Sequence, residues 1–555
     1  MIDLWYKNAV IYCVDVDRFM DGNGDGIGDF VGLTHRLDHI AGLGATCIWL
    51  LPFYPSPNRD NGYDVTDYYG VHPELGTPGD FVVFMREARE RGMRVIVDLV
   101  VNHTSDQHPW FQSARSDPDS PYRNYYNWSA EKPEGADAGV VFPGVQETTW
   151  TCDERVGAYY HHRFYKHQPD LNIANPAVRE EIEKVMGFWL ELGVSGFRLD
   201  AAPFLIELTG VDADAGRDPH AYLRELRDFL SWRRGDAIML AEANVAADQI
   251  DQYFGDGDRM HMLFNFLANQ HLFLALARDE AGPLRRTLRK LPAIPPLSQW
   301  ASFLRNHDEL DLGRLSDAER ADAFDAFAPD PSMRLYERGI RRRLAPMLGG
   351  DRRRLELAYS LMLTLPGTPV LFYGEEIGMG DDLSLRERDS VRTPMQWSDD
   401  RNGGFSKAPR EKLVSPVIEE GDYGCDRVNV TAESRDPHSF LNRMTQMIRA
   451  RRSCPEFGWG RLRLLDPVDG DGREGVLAHR CDWRGTTVFA VHNLSPEPCE
   501  VTLDLGEDDG DGEGGDLTDV MSDREYERVT GPEDRVRVAG HGFRWLRREA
   551  RRGRR

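Results

Sequence analysis

The 555-residue chain predicts an α/β protein: a (β/α)8 TIM barrel with an inserted subdomain after its third strand and a C-terminal antiparallel β-domain. Three observations carry that prediction. Eight short β-rich runs alternate with amphipathic helical patterns up to about residue 380, the pattern of a parallel sheet wrapped by helices. Most of those runs end in polar or charged residues. Beyond about residue 456 the helical patterns give way to short strands.

The eight runs are AVIYCVDV, TCIWLLP, RVIVDLVVNH, GFRLDA, IMLAEAN, HMLFNF, WASFLRNHD and PVLFYGEE. Between them lie stretches such as VREEIEKVMGFWLELG, whose apolar residues recur at helical spacing. Strand ends carry Asn102 with His103, Arg198 with Asp200, Glu242 with Asn244, Asn306 with Asp308, and Glu375 with Glu376. A buried core strand has no reason to finish so, whereas a barrel's active site stands at the C-terminal ends of its strands. Residues 104–172 are too long for a simple connection and read as an inserted subdomain placed to act as a lid. Residues 310–350, ending in RGIRRRLAPML, read as a second, helical insertion. The barrel then takes 1–103 and 173–455. Residues 456–555 form a sandwich-like β-domain with a flexible acidic loop, GEDDGDGEGGD, and a basic tail, RREARRGRR.

Composition narrows the partners. A formal charge of −24 argues against nucleic acid, whose phosphates need a basic surface, and disfavours anionic membranes. No run approaches the ~18 apolar residues of a membrane helix, and the start, MIDLWYKNAV, lacks the features of a signal peptide. Seven scattered cysteines without a C-x-x-C pair fit a reducing cytoplasm.

The stretch DGNGDGIGD, residues 21–29, sets oxygen-bearing side chains at Asp21, Asn23, Asp25 and Asp29 between glycines, the look of a calcium loop. An EF-hand would need a Glu at its twelfth position, which here is Gly32, and a preceding helix where AVIYCVDVDRF reads as a strand. The loop therefore belongs to another architecture. The strand-end carboxylates are more telling. Asp200, Glu242 and Asp308 share one barrel face, and two carboxylates flanking a glycosidic bond are the minimum for glycoside chemistry. Arg198, two residues before Asp200, points to the same side of its strand and keeps that carboxylate ionised. Asn306 and His307 add donors around a sugar.

In DLVVNH (98–103), QPDLN (168–172), GFRLDA (196–201), AEAN (241–244), RNHD (305–308) and VRTPMQW (391–397), the chain resembles the α-amylase family of glycoside hydrolases and transglycosylases. The resemblance is collinear over nearly the whole chain. It implies Asp200 as nucleophile, Glu242 as general acid/base and Asp308 as transition-state stabiliser. Tyr63 and Asp64 of NGYD, with His103, Arg198, His307 and Arg392, would grip the glucosyl unit. It further implies that the first loop binds a structural Ca2+ through Asp21, Asn23, Asp25, Asp29 and the carbonyl of Ile27, with a second site from Asn102, Asp170 and Glu207. Stretches such as IWLLPFYPSPNRDNGYDVTDYY and RERDSVRTPMQWSDDRNGGFS are most similar to the branch that interconverts maltose and trehalose through a covalent β-glucosyl-enzyme. Ala201 after the nucleophile accompanies α-1,4 preference in related enzymes. Two stretches depart from that branch, CVDVDRF at 13–19 and DLGRL at 311–315, and leave open an α-1,4-glucosidase that hydrolyses or transfers glucose from maltose and short malto-oligosaccharides. The resemblance is compatible with a homodimer. The aromatic runs YRNYYNW and YYHHRFY, with His161, His162 and His167, read as insertion core and loop histidines, and no paired exposed aromatics mark the β-domain as a glucan binder.

Overall fold

The computed structural model describes residues 3–207, 218–471, 473–503, 517–529 and 535–548. The acidic loop at 506–516 and positions 549–555 of the basic tail lie outside the described residues. Each of the eight runs contributes one strand: β1 (Ile11–Val14), β2 (Cys47–Leu50), β3 (Arg94–Leu99), β4 (Gly196–Leu199), β5 (Ile238–Ala241), β6 (Met262–Phe264), β7 (Gln299–Phe303) and β8 (Thr368–Phe372). They pair in chain order and close through β8 onto β1. All are parallel. Their apolar side chains, Val14, Ile48, Ile96, Phe197, Leu240 and Leu371 among them, are buried on both faces of the sheet, as a barrel strand between core and outer helices requires.

The outer helices begin as their sequences direct. The helix Pro176–Glu191 starts with proline behind an Asn175 cap that accepts from the Ala177 amide. Its apolar stripe ends in Trp189, whose indole donates to the Tyr68 carbonyl at 2.9 Å. Where β4 meets β5, only glycine fits: Gly196 has φ +147°, and a Cβ there would stand 2.2 Å from the Ile238 carbonyl oxygen.

The inserted stretch holds a helix, Pro109–Ser116, and a three-stranded antiparallel sheet of Trp128–Ser129, Ala158–His161 and Trp150–Asp153. Phe111 stacks on Trp128 at 5.6 Å in its core. The region 310–350 corrects the helical expectation. It carries the helix Asp317–Phe327, capped by Ser316 and Glu319, and also a small sheet of Leu310–Asp311, Arg334–Leu335 and Gly339–Ile340. Strands of two residues leave no alternation for a sequence to display.

The C-terminal domain has a five-stranded antiparallel sheet, β9 (Arg461–Leu465), β10 (Val476–Trp483), β11 (Thr486–Asn493), β12 (Leu517–Ser522) and β13 (Phe543–Arg548), ordered β9-β10-β11-β13-β12. A second sheet, Pro467–Asp471, Cys499–Leu503 and Arg535–Val538, completes it. Val476, Phe489, Val501, Val536 and Leu546 form the core shared by the two sheets. Trp545 fixes the domain to the barrel by donating to the Ser360 hydroxyl at 2.8 Å. Trp459 and Trp483 stack at 5.8 Å on its surface, a pair the sequence did not reveal because 24 positions separate them. Among the described residues no helix is long and apolar enough to cross a membrane.

Gly196→Ala should cost about 3 kcal/mol, because the β4–β5 backbones must separate to admit the methyl group. A lowered midpoint in thermal unfolding followed by circular dichroism would register it.

Candidate active site

Asp200 follows the last residue of β4 and Glu242 follows the last residue of β5, so the two carboxylates stand at adjacent strand ends. One buried guanidinium holds both. Arg198 donates from Nη1 to Asp200 and to Asp98 Oδ1 at 2.7 Å, and from Nη2 to Glu242 Oε2 at 2.8 Å. The two carboxylates therefore converge on one planar fork from adjacent strand ends. Trp49 Nε1 donates to the other Asp98 oxygen at 2.9 Å and fixes it from below. Ala201, next to Asp200, is left-handed with φ +50°, and its amide donates to Glu242 at 3.3 Å. A non-glycine residue in that region is strained, and a β-branched one would be more so.

One cation cannot neutralise three buried carboxylates. Burial pushes Glu242 up to about 7 and Asp200 up to about 6, against the pull of Arg198 on each. Asp98 likewise rises to about 6 through burial. Asp308 is the opposite case. Burial alone would raise it, but His307, Arg388 and Arg392 hold it well below the usual carboxylate range. Arg388 Nη1 reaches Asp308 at 2.7 Å, Arg392 Nη2 at 3.0 Å, and His307 Nε2 at 3.1 Å. His307 also meets the Tyr63 hydroxyl at 2.8 Å and stacks on its ring.

A cavity of about 920 Å³ opens over these groups. Asp200, Glu242, Asp308, Tyr63 and His103 line it. His103 is fixed by a 3.0 Å contact from Nε2 to the Tyr63 carbonyl. Asp64 turns away: its oxygens accept from Ser56 and from the amides of Arg59 and Asp60, so it shapes the loop from behind. Asp60 faces the cavity instead and pairs with Arg388 at 3.0 Å. Asp98, Asp60 and Arg388 are thus the groups sequence reasoning passed over. The available signals were an acid inside the apolar run VIVDLVV and charges four positions before Asp64 and Arg392. Glu375 and Glu376 also end a strand, yet they bind Arg343, Tyr359, Tyr12 and His39 away from the cavity.

The two insertions meet above the cavity. Phe142 stacks on Tyr165 and packs on Tyr336, both at 4.7 Å, and both tyrosines donate to Glu387 Oε2 at 2.6 Å. Arg338 bridges the Val141 carbonyl at 3.0 Å and Asp311 at 3.3 Å. Of the two departing stretches, 311–315 lines the cavity through Asp311, Gly313 and Arg314, whereas none of residues 13–19 does.

In the loop at 21–29 the side chains serve the backbone. Asp21 accepts from the amides of Asn23, Gly24 and Gly26, Asp25 from that of Ile27, and Asp29 from those of Gly22, Asn23 and Gly32. The donor set is oxygen alone, the chemistry of a hard cation, but among the described residues no group of three or more His, Cys, Asp or Glu is placed to hold a metal. Around the second expected site, Asn102 and the Arg163 amide both donate to Asp170, His161 pairs with it, and Glu207 is taken by the Arg163 guanidinium.

A model of the alpha amylase catalytic domain matches residues 12–323 and 340–460. The chain belongs to the α-amylase family. A sucrose hydrolase-like C-terminal domain matches residues 485–547. Within the family the chain is 46% identical over 514 residues to trehalose synthase/amylase TreS of Mycolicibacterium smegmatis, covering 90% of this chain and 86% of that one. It is 43% identical over 549 residues to the enzyme of the same name from Mycobacterium tuberculosis, covering 98% and 90%. The trehalulose synthase of Pseudomonas mesoacidophila superposes with a TM-score of 0.76 at 27% identity, over 98% of this chain and 99% of that one.

The raised pair gives a signed pH dependence. The nucleophile must be ionised, so kcat/KM on an aryl α-glucoside should rise with pH through about 6; the acid must be protonated, so it should fall above about 7. A narrow bell is expected, and Glu242→Gln should remove its alkaline limb.

Proposed function

We propose that the protein interconverts maltose and trehalose by intramolecular transglucosylation with retention. The observation that carries this reading is a pocket over two carboxylates that share Arg198, roofed by the joined insertions. Glu242, protonated near neutrality, gives its proton to the glycosidic oxygen. Asp200 attacks the anomeric carbon, the C–O bond breaks, and a β-glucosyl ester forms with glucose released in place. Asp308, held anionic by its cations, faces the positive charge of the transition state. The glucose turns and attacks the anomeric carbon of the bound glucosyl unit through its own anomeric hydroxyl, Glu242 takes up that hydroxyl's proton, and the bond to Asp200 breaks to free its carboxylate. Water must stay out, since its attack would give two glucoses. The Phe142, Tyr165 and Tyr336 contacts supply that exclusion. Seven free cysteines, six of them buried, suit a reducing cytoplasm as the setting.

The deciding experiment is incubation with maltose while the anomeric protons are followed by NMR. Trehalose ahead of glucose, and maltose re-formed from trehalose, are expected. Glucose alone would leave an α-1,4-glucosidase. Phe142→Ala, which opens the seam between insertions, should raise the share of glucose several-fold with little loss of maltose consumption.

We also propose that the loop at 21–29 takes a structural Ca2+ by exchanging amide contacts for the ion. Calcium should then raise the melting temperature of chelator-treated protein, and Asp25→Ala should abolish the rise. An unchanged melting temperature would mean that the loop works as an amide-capped turn.

A further inference from the structure

The stretch at 13–19 lies outside the cavity yet ends in a buried charge cluster that the reaction scheme does not use. Arg18, in the short helix Val16–Phe19 that follows β1, donates from Nη1 to Asp15 at 3.1 Å and Asp17 at 2.8 Å, and from Nη2 to Asn61 Oδ1 at 2.9 Å. Asn61 passes the contact on: its Nδ2 donates to Asp389 Oδ1 at 3.0 Å. Each end of that second bond adjoins a cavity residue. Asn61 follows Asp60, Asp389 follows Arg388, and Asp60 and Arg388 pair with each other at 3.0 Å while Arg388 holds Asp308 at 2.7 Å. The loop at 58–64 and the segment at 387–392 are therefore cross-linked twice, once at the cavity wall and once behind it. The front link is anchored at the end of β7 through Asp308 and the rear link beyond β1 through Arg18, whose carbonyl also accepts from the Met395 amide at 2.9 Å.

We propose that Arg18 is a positioning residue for the glucosyl pocket, acting through Asn61 to set the Asp60–Arg388 pair against Asp308. Asn61 is left-handed, with φ +47°, a conformation a non-glycine residue keeps only when its surroundings hold it. The two amide contacts are what hold it. An arginine shared by two carboxylates is a rigid fork, so Asn61 is held between that fork on one side and Asp389 on the other. Loss of the fork lets the loop carrying Asp60 and Tyr63 drift, and misplacements of about 1 Å cost up to ~100-fold in rate.

The inference rests on the α-glucoside reading, and two measurements separate them. Turnover of maltose by the wild type tests the reading. The ratio of variant to wild-type affinity for 1-deoxynojirimycin, a glucosyl mimic, tests the inference whatever the product. Asn61→Gly accepts the backbone angle and removes both amide contacts. It should weaken the inhibitor and lower kcat/KM on maltose about tenfold, mostly through KM, at an unchanged melting temperature. Arg18→Met should lower affinity and kcat/KM likewise, with a lower melting temperature because Asp15 and Asp17 lose their cation, and the double variant should be no worse in affinity than the worse single one. Folded Asn61→Gly with wild-type affinity and kcat/KM overturns the proposal, as do effects that multiply in the double variant. If Arg18→Met does not fold, Asn61→Gly alone decides.

Discussion

The site depends on a single buried guanidinium serving three carboxylates. Arg198 is 1% exposed and binds Asp98, Asp200 and Glu242 from β3, β4 and β5. Its position on β4, two residues before Asp200, makes the strand's own pleat aim both at the cavity. Taking that cation out of water is tolerable only because acids surround it. Equally, one positive charge cannot keep three buried acids ionised. The shortage leaves a proton on the cluster near neutrality, and the group least tied to Arg198 and most open to the cavity, Glu242, is where an acid catalyst needs it.

The second half of the site inverts this balance. Asp308 is one acid among Arg388, Arg392 and His307, so it stays anionic where Glu242 does not. Two carboxylates of the same chemistry thus take opposite roles through the ratio of charges around them. Arg388 joins that cluster to Asp60, and the insertions meet overhead at Phe142. Charge placement at the floor and aromatic packing at the roof are separate requirements. The floor makes the glucosyl ester, and the roof decides what attacks it.

Much of this was legible in the chain. All eight barrel strands follow the β-rich runs, and Asp200, Glu242 and Asp308 declare themselves because a charged residue at the end of an apolar run is anomalous. What escaped shares one physical cause: it depends on contacts between distant segments. Asp64 and Asp60 look alike in NRDNGYD, and only the turn at Asn61 decides which faces the cavity. Arg388 becomes a site residue because the segment after β8 folds back over β7. The sheet within 310–350 is built from two-residue strands with no period to detect. The loop at 21–29 displays metal-type spacing, yet the same spacing serves a turn whose carboxylates accept backbone amides.

The central claim, that Arg198 holds Asp200 ready to take a glucosyl group while Glu242 keeps the proton, is tested most directly by trapping the ester. Glu242→Gln supplied with α-glucosyl fluoride, whose leaving group needs no acid, should accumulate it. Mass spectrometry of the digested protein should then find one glucosyl residue on the peptide carrying Asp200. A label on any other residue, or fluoride release with inversion at the anomeric carbon and no label, would contradict the account.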